Sequence, residues 1–258
     1  MPERTPKSGR EYLSGTHFRC SLLKFPGFSV FETLSHFVWP QSCPVCGKIG
    51  VSCCDGCLRS AAAPLPPFCA KCGAPFGNEC CSGSVLCNAL SLHEGISREL
   101  LLDLKYRNVR SLGMPMGKLV GENFRKTDAD MLLPVPLHRS GRREYNQSLL
   151  LAKGISLMWS IPVKDDVLYW RIEMGSQTGK KGISRDMMPA NAMEASKSLE
   201  GLSVVLVDDV YTTGNTMRTA ISAVERAGGR VASALVWSRR IPSQENEAAW
   251  QDVAETSI

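Results

Sequence analysis

Residues 204–216 read Val-Val-Leu-Val-Asp-Asp-Val-Tyr-Thr-Thr-Gly-Asn-Thr, and this stretch decides the fold. Its first four residues are apolar and mostly β-branched, which is typical of a strand buried on both faces of a parallel sheet. Asp208 and Asp209 follow at the carboxyl end of the strand, where open α/β sheets bind ligands. Gly214 permits a tight turn into a helix, whose first N–H groups attract anions. The stretch therefore predicts a strand, a ligand-binding loop and a helix.

Working outward from this stretch, apolar residues at helical spacing predict a helix over residues 216–227, and residues 231–237 predict the next strand. Strand, loop, helix and strand in this order form a βαβ unit. Upstream, similar patterns predict a helix that begins near residue 96, a strand over 131–137 and a helix over 149–159. These elements predict an α/β protein with a parallel sheet flanked by helices.

An acidic residue at the end of a buried strand also occurs in nucleotide triphosphatases, as the Walker B strand. That class of site needs a second motif, Gly-x-x-x-x-Gly-Lys followed by Ser or Thr. The nearest stretch, residues 175–181, is one residue short and lacks the final hydroxyl. The pattern therefore disfavours a triphosphatase.

The stretch 204–216 resembles the phosphoribosyl-pyrophosphate signature of the type I phosphoribosyltransferases. In that family the two acids hold the ribose hydroxyls and the following loop holds the 5′-phosphate, with magnesium carried by the substrate. The resemblance implies that Asp208 and Asp209 are sugar-binding catalytic acids. It assigns phosphate binding to the residues of the loop, which are Thr212, Thr213, Gly214, Asn215 and Thr216.

A second loop, over residues 134–147, is dense in arginine. Arginine binds phosphate groups in a planar, bidentate manner. A diphosphate leaving group needs such a clamp, because negative charge builds up on it as the glycosidic bond breaks. We assign Arg143 to the catalytic set with the two acids, and the diphosphate-binding candidates are His138, Arg139 and Arg142.

Cysteines mark the region before these loops. The chain has 11 of them, and none follows Cys87. Cys-x-x-Cys pairs indicate metal binding in a reducing compartment, and four thiolates form a closed structural zinc site. The first predicted set is Cys43, Cys46, Cys54 and Cys57. A second possible set is Cys69, Cys72, Cys80 and Cys87, with Cys81 as an alternative to Cys80. Interleaved sets, and free buried cysteines, remain alternatives.

The order of these motifs over residues 37–240 is similar to that of the ComF family of competence-associated, phosphoribosyltransferase-like proteins. The further motifs that carry the resemblance are Leu-Lys-Tyr-Arg at 104–107, Val-Pro-Leu-His-Arg at 135–139, Asn-Gln at 146–147 and Ser-Gln-Thr at 176–178. The resemblance implies a zinc-binding module, a type I phosphoribosyltransferase fold and, in competent bacteria, a cytoplasmic part in DNA uptake. The chain departs from the family at Glu144-Tyr145, usually Gly-Phe, and at Met187-Met188, usually Glu-Arg.

The sequence predicts four segments: a disordered tail over 1–27, a cysteine-rich zinc module over 28–92, a phosphoribosyltransferase-like domain over 93–240 and a flexible tail over 241–258. The formal charge of +5 fits an anionic ligand and is too small to indicate nucleic acid by itself. No apolar run is long enough for a membrane span, so we expect a cytoplasmic protein.

Three functions are compatible with these features. The leading one is a ComF-like protein that binds phosphoribosyl pyrophosphate with magnesium and is linked to DNA uptake. If it catalyses a reaction, it acts as a glycosyltransferase. No residue identifies the acceptor substrate. The alternative is a non-catalytic module for single-stranded DNA or a helicase-like partner. Its basic path would run over Lys105, Arg107, Arg110, Arg142 and Arg143. The third is a zinc-ribbon nucleic-acid binder, which the well-formed loop at 208–216 disfavours.

Overall fold

The central sheet of the protein has five strands in the order β1-β2-β7-β6-β3. The structure is a computed structural model and describes residues 42–77, 80–137, 144–171 and 191–241. The strands of the sheet are β1 (Phe68–Cys69), β2 (Leu86–Leu92), β3 (Met131–Pro134), β6 (Ser203–Tyr211) and β7 (Arg230–Arg239). A separate antiparallel pair consists of β4 (Leu168–Trp170) and β5 (Met193–Ala195). Within the main sheet β2, β7, β6 and β3 are parallel, and β1 is antiparallel to β2.

Helices cover both faces of this sheet. They are α1 (Asp55–Arg59), α2 (Gly95–Tyr106), α3 (Gly113–Asn123), α4 (Gln147–Trp159) and α5 (Asn215–Arg226), with a short 3-10 turn at Arg110–Leu112. The predicted parallel α/β fold is therefore confirmed. The strand expected over 131–137 is shorter than predicted and ends at Pro134, although the Val135 backbone N–H still donates to the Val207 carbonyl oxygen at 2.9 Å.

Strand β6 separates two hydrophobic cores. Val204 and Leu206 belong to the core under α5, whereas Val205 and Val207 belong to the core under α2, α3 and α4. Side chains alternate between the two faces of a strand, so the cores lie on opposite faces of the sheet. All four side chains are at most 1 % exposed, which agrees with a strand buried on both faces.

Helices α3 and α4 approach each other closely through glycine. A Cβ atom at Gly117 would lie 2.1 Å from the Leu151 carbonyl oxygen, and one at Gly154 would lie 2.3 Å from the Met114 carbonyl oxygen. Trp159 Nε1 donates to the Gly121 carbonyl oxygen at 3.0 Å at the far end of the contact. This close packing fixes the start of α4, which carries part of the candidate site.

The cysteine-rich segment is continuous with the sheet. All described residues fall within one compact unit, and β2, which precedes the predicted boundary at residue 92, pairs with β7 over Cys87 to Leu92. The four predicted segments stay predictions. Among the described helices, none has the length and apolar character needed to cross a bilayer.

Candidate functional site

The signature loop, defined as residues 208–216, comprises the last four residues of β6, the turn at 212–214 and the start of α5. Asp208 and Asp209 thus lie within the final part of the strand, which is longer than the sequence indicated. Gly214 has a φ angle of 75°, in the left-handed region that favours glycine. A Cβ atom there would lie 2.3 Å from the Tyr211 hydroxyl oxygen, so the close approach also requires glycine. Helix α5 begins at the next residue, and the first N–H groups of a helix have no partner within it. The loop therefore presents the anion-attracting end of α5 beside the end of β6.

Asp208 is held by two hydrogen bonds to one carboxylate oxygen. Ser148 Oγ donates to Asp208 Oδ1 at 2.9 Å, and the Asp209 backbone N–H donates to the same oxygen at 2.8 Å. Burial, followed by the adjacent charge of Asp209, raises the pKa of Asp208 to about 7, although both hydrogen bonds and Lys105 oppose the rise. Asp208 therefore changes its protonation state near neutral pH.

Asp209 has a different environment, because Lys105 of α2 lies against it. Lys105 Nζ is 2.8 Å from Asp209 Oδ1, and both side chains are 12 % exposed. The two groups thus form an ion pair that is largely shielded from solvent. The two adjacent acids therefore have different partners: a hydroxyl for Asp208 and a cation for Asp209.

Asn146 positions the Ser148 partner of Asp208. The Asn146 side chain accepts a hydrogen bond from the Ser148 backbone N–H at 3.0 Å and caps the start of α4. Its Nδ2 donates to the Val135 carbonyl oxygen at 2.9 Å, just after β3. The Asn-Gln motif at 146–147 thus ties the end of one strand to the helix that faces the acid pair. The sequence singled out this motif without showing that Ser148, the next residue, reaches Asp208.

The structure brings part of the predicted site together. Asp208, Asp209 and the loop residues Thr212 to Thr216 share the carboxyl edge of β6, and the hydroxyl-bearing Thr212 and Thr213 are exposed. An acid pair next to a helix start suits a ligand that combines hydroxyl groups with a phosphate. The residues of the predicted arginine clamp lie outside the described part of the chain. They are His138, Arg139, Arg142 and Arg143.

The predicted basic path for single-stranded DNA is largely neutralised where it is described. Lys105 is paired with Asp209, Arg107 with Asp103 and Arg110 with Glu144. Arg110 also stacks over the Tyr145 ring, with 4.6 Å between its guanidinium carbon and the ring centroid. These contacts reduce the positive charge that the path would offer to a phosphate backbone.

The cysteines form two separate clusters. In the first cysteine cluster (Cys43, Cys46, Cys54 and Cys57) and the second cysteine cluster (Cys69, Cys72, Cys80 and Cys81), the sulfur atoms of each set lie within 4.8 Å of one another. The first set is the predicted one, and the interleaved alternative is wrong. The second set corrects the sequence interpretation, because Cys81 takes the place expected for Cys87. Cys87 is fully buried on β2, where its side chain packs in the core under α5.

The donor chemistry of both clusters fits zinc. Four sulfurs arranged tetrahedrally at about 2.3 Å from zinc are about 3.8 Å apart. The Cys46–Cys54, Cys69–Cys81 and Cys72–Cys80 sulfur pairs are 3.6, 3.7 and 3.5 Å apart. Burial opposes ionisation of Cys69, but hydrogen bonds from surrounding backbone N–H groups outweigh it and lower the pKa of Cys69 to about 6. Each cluster could therefore hold one structural zinc ion.

Comparison with known proteins agrees with this geometry. Residues 146–257 match the phosphoribosyl transferase domain family. The chain is 26% identical over 141 residues to competence protein ComFC of Bacillus subtilis, covering 53% of this chain and 56% of the relative. It is 58% identical over 40 residues to an orotate phosphoribosyltransferase of Pyrobaculum calidifontis, covering 16% of this chain and 21% of the relative. The chain thus spans at most about half of the length of these two relatives.

Among solved structures, the chain is similar to adenine phosphoribosyltransferase from Thermoanaerobacter pseudethanolicus. The TM-score is 0.35 at 17% sequence identity, and the match covers 55% of this chain and 73% of that one.

Proposed function

We propose that the signature loop binds phosphoribosyl pyrophosphate as the magnesium complex. The starting point is that the chain is a ComF-like protein related to the type I phosphoribosyltransferases. The observation that carries the proposal is the acid pair at the end of β6, next to the Gly214 turn that opens α5. The ribose hydroxyls would bind to Asp208 and Asp209. The 5′-phosphate would bind to the N–H groups and hydroxyls of residues 212–216.

The unequal partners of the two acids support this assignment. A ribose has two neighbouring hydroxyl groups, and each can donate to one acceptor while accepting from another donor. Asp209, held by Lys105 at 2.8 Å, supplies a carboxylate acceptor. Asp208 receives the Ser148 hydroxyl at 2.9 Å through Oδ1, which leaves Oδ2 for the ligand. The acids thus have the capacity to hold both hydroxyls.

The proposed reaction is phosphoribosyl transfer. The bond between ribose C1 and the diphosphate oxygen breaks, the diphosphate leaves with that electron pair, and a nitrogen nucleophile forms the new bond to C1. Asp208 and Asp209 hold the sugar as positive charge develops at C1. Arg143, with His138, Arg139 and Arg142, would neutralise the diphosphate. Bound magnesium supplies further charge neutralisation to the same group.

Calorimetry tests the binding proposal. The zinc-loaded chain is titrated with magnesium phosphoribosyl pyrophosphate, in parallel with the Asp208→Asn/Asp209→Asn variant, which preserves side-chain shape. We expect saturable binding by the wild type and a loss of at least about tenfold in the variant, which corresponds to about 1.4 kcal/mol. A folded, zinc-loaded wild type that gives no binding heat would refute the proposal. Release of diphosphate upon addition of candidate bases then tests turnover.

A role in DNA uptake is the second part of the proposal. It is supported by the similarity to a relative described as a competence protein. A cytoplasmic location is included, because reduced cysteine clusters need a reducing compartment. Deletion of the gene in a transformable host should lower the transformation frequency, and complementation with the Asp208→Asn/Asp209→Asn variant should not restore it. Unchanged transformation in the deletion strain would rule out this role.

A further inference from the structure

We propose that the second cysteine cluster is a positioning element of the signature loop, so that metal bound by this cluster and phosphate bound at the loop stabilise each other. The inference rests on the proposed phosphoribosyl site and assigns the cluster a part in it. The first cysteine cluster, which has the same set of ligands, would have no such coupling.

The turn of the second cluster, residues 69–73, is shaped for a metal. The Gly73 backbone N–H donates to the Cys69 carbonyl oxygen at 2.8 Å, and the Lys71 N–H points to Cys69 Sγ at 3.4 Å. Inward-facing N–H groups stabilise thiolate sulfur. With its N–H groups used in this way, the turn directs other backbone carbonyls outward.

Three of these outward carbonyls are bound by side chains that surround the signature loop. Tyr211 Oη donates to the Ala70 carbonyl at 3.4 Å, Arg218 to the Lys71 carbonyl at 3.0 Å and Arg239 to the Gly73 carbonyl at 2.6 Å. Tyr211 ends β6, Arg218 lies in the first turns of α5 and Arg239 ends β7. The metal-binding turn is therefore hydrogen-bonded to β6, α5 and β7, which are three of the elements around the signature loop.

An ion pair and a ring contact strengthen the attachment. Lys71 Nζ lies 2.9 Å from Glu225 Oε1, which is further along α5. The Arg239 guanidinium carbon lies 3.9 Å from the Phe68 ring centroid, and the Phe68 and Tyr211 rings meet edge to face at 4.8 Å. Arg239 and Phe68 are buried, so the two ring contacts are formed away from solvent.

The Tyr211 ring is confined between the two loops. A Cβ atom at Gly73 in the metal-binding turn would lie 3.3 Å from Tyr211 Oη, and one at Gly214 in the signature loop would lie 2.3 Å from the same atom. The Tyr211 hydroxyl group therefore lies between the two glycine turns and packs most closely against Gly214. Through Tyr211, a displacement of the metal-binding turn would be passed on to the signature loop.

The first cluster provides an internal control with the same metal chemistry. Its turn is closed by the Gly47 N–H to Cys43 carbonyl bond at 2.8 Å. Val45 and Cys53 pack against the core under α2, α3 and α4, which lies on the face of the sheet opposite to α5. Arg59 of α1 pairs with Glu122 of α3 at 3.1 Å. This cluster is thus anchored to helices other than the one that opens at Gly214.

Thermodynamic linkage makes the coupling measurable from either side. If the metal increases the affinity for the ligand, the ligand must increase the affinity for the metal by the same factor. Phosphoribosyl pyrophosphate should therefore protect the zinc ion of the second cluster and leave that of the first unprotected. Couplings between sites commonly change affinity by about fivefold or more.

The experiment follows zinc release from the full-length, zinc-loaded chain to a chromophoric chelator, with and without magnesium phosphoribosyl pyrophosphate. The variants Cys46→Ser and Cys81→Ser assign the two release phases to the two clusters. We expect the ligand to slow only the second-cluster phase, by about fivefold or more. Arg218→Ala, at an exposed position that contacts the turn, should keep both zinc ions and reduce the protection.

The outcomes separate this inference from the proposed function. Calorimetry on the same sample reports whether the ligand binds. Binding with no protection, or with equal protection of both phases, overturns the inference alone. An absence of binding overturns the proposed function and the inference with it. If the ligand protects the second cluster as strongly in Arg218→Ala as in the wild type, the coupling through the carbonyl contacts is also overturned. The ligand would then act by another route.

Discussion

Lys105 and Asp209 are 104 positions apart in the chain, and their side chains meet at 2.8 Å where α2 passes the end of β6. Each side chain is 12 % exposed, so removal of one partner leaves a buried charge without compensation. We expect Lys105→Met to lower the free energy of unfolding by about 3 kcal/mol. Lys105→Arg should retain most of it, because the cation is kept.

Urea unfolding checks this prediction, with Lys118→Met as the matched control. Lys118 lies on an exposed position of α3, where loss of the charge should change stability little. Equal unfolding free energies for Lys105→Met and Lys118→Met would show that the Lys105–Asp209 pair does not contribute as described.

The raised pKa of Asp208 predicts a pH dependence of stability. The folded value is about 7 and the usual value is 3.8, so between about pH 4 and pH 7 the unfolded chain loses a proton that the folded chain keeps. The stability contributed by Asp208 therefore falls as the pH rises through this window. Asp208→Asn should become progressively more stable relative to the wild type from pH 4 to pH 7, and the difference should be constant above.

Chemical unfolding at a series of pH values measures this difference. Asp165→Asn, at an exposed position, serves as the control and should give a difference without such a slope. The groups that face Asp208 are Asp209, Lys105 and Ser148. Ser148 is the uncharged one of the three, so the pH series is repeated in the Ser148→Ala background. Since the Ser148 hydroxyl opposes the rise in pKa, its loss should raise the upper end of the window and leave the lower end unchanged. A flat difference for Asp208→Asn would contradict the burial of an ionisable group there.

The metal content distinguishes Cys81 from Cys87 as a ligand. Because the sulfur atoms gather into two sets of four, we expect two zinc ions per chain. Cys81→Ser should retain one, whereas Cys87→Ala should retain both, since Cys87 is a buried core residue on β2. Elemental analysis of purified protein gives the count. Loss of one zinc ion in Cys87→Ala with none in Cys81→Ser would restore the ligand set that the sequence suggested.

A comparison of alanine variants at Gly214 and Gly201 distinguishes backbone strain from steric conflict in the signature loop. Gly214 and Gly201 have φ angles of 75° and 73°, but a Cβ atom at Gly201 has no neighbour within 4 Å. Each alanine variant carries a strain of about 1 kcal/mol. Only Gly214→Ala also forces the loop against Tyr211, so we expect it alone to weaken ligand binding, by about tenfold or more. Calorimetry compares the two, and equal affinities would argue against a role for the loop geometry in binding.

The sequence predicted the elements that carry their own local signal. Residues 204–207 are all apolar, and the loop that follows has acids and a glycine at positions with clear physical uses. Helix α3 was not predicted, because Gly113, Pro115 and Gly117 lower its intrinsic helix propensity. Its glycines are explained only by the contact with α4, where no Cβ atom would fit. Tertiary packing outweighs local propensity at this position.

Within the candidate site, the same distinction applies. The acid pair was found from the sequence, because it directly follows the apolar run at residues 204–207. Lys105 was noted as part of the motif at 104–107 and as a basic residue, but not as a partner of Asp209. Ser148 was not noted at all, because each of the two reaches the acids from a distant helix. Likewise, cysteine spacing alone could not separate Cys81 from Cys87. Cys87 is not available as a ligand because it lies in β2, which pairs with β7. Since β7 is far away in the chain, cysteine spacing gave no sign of this pairing.

The position of β7 between β2 and β6 has a consequence for how the protein is made. A ribosome releases the chain in order, so both cysteine clusters and β2 emerge long before residues 230–239. Until then β2 lacks its parallel partner and β6 is paired on one side only. Zinc capture can precede closure of the sheet, whereas the signature loop becomes fixed between its neighbours only after β7 is inserted. The cysteine clusters can thus form early in synthesis, whereas the strands around the signature loop are complete only close to its end.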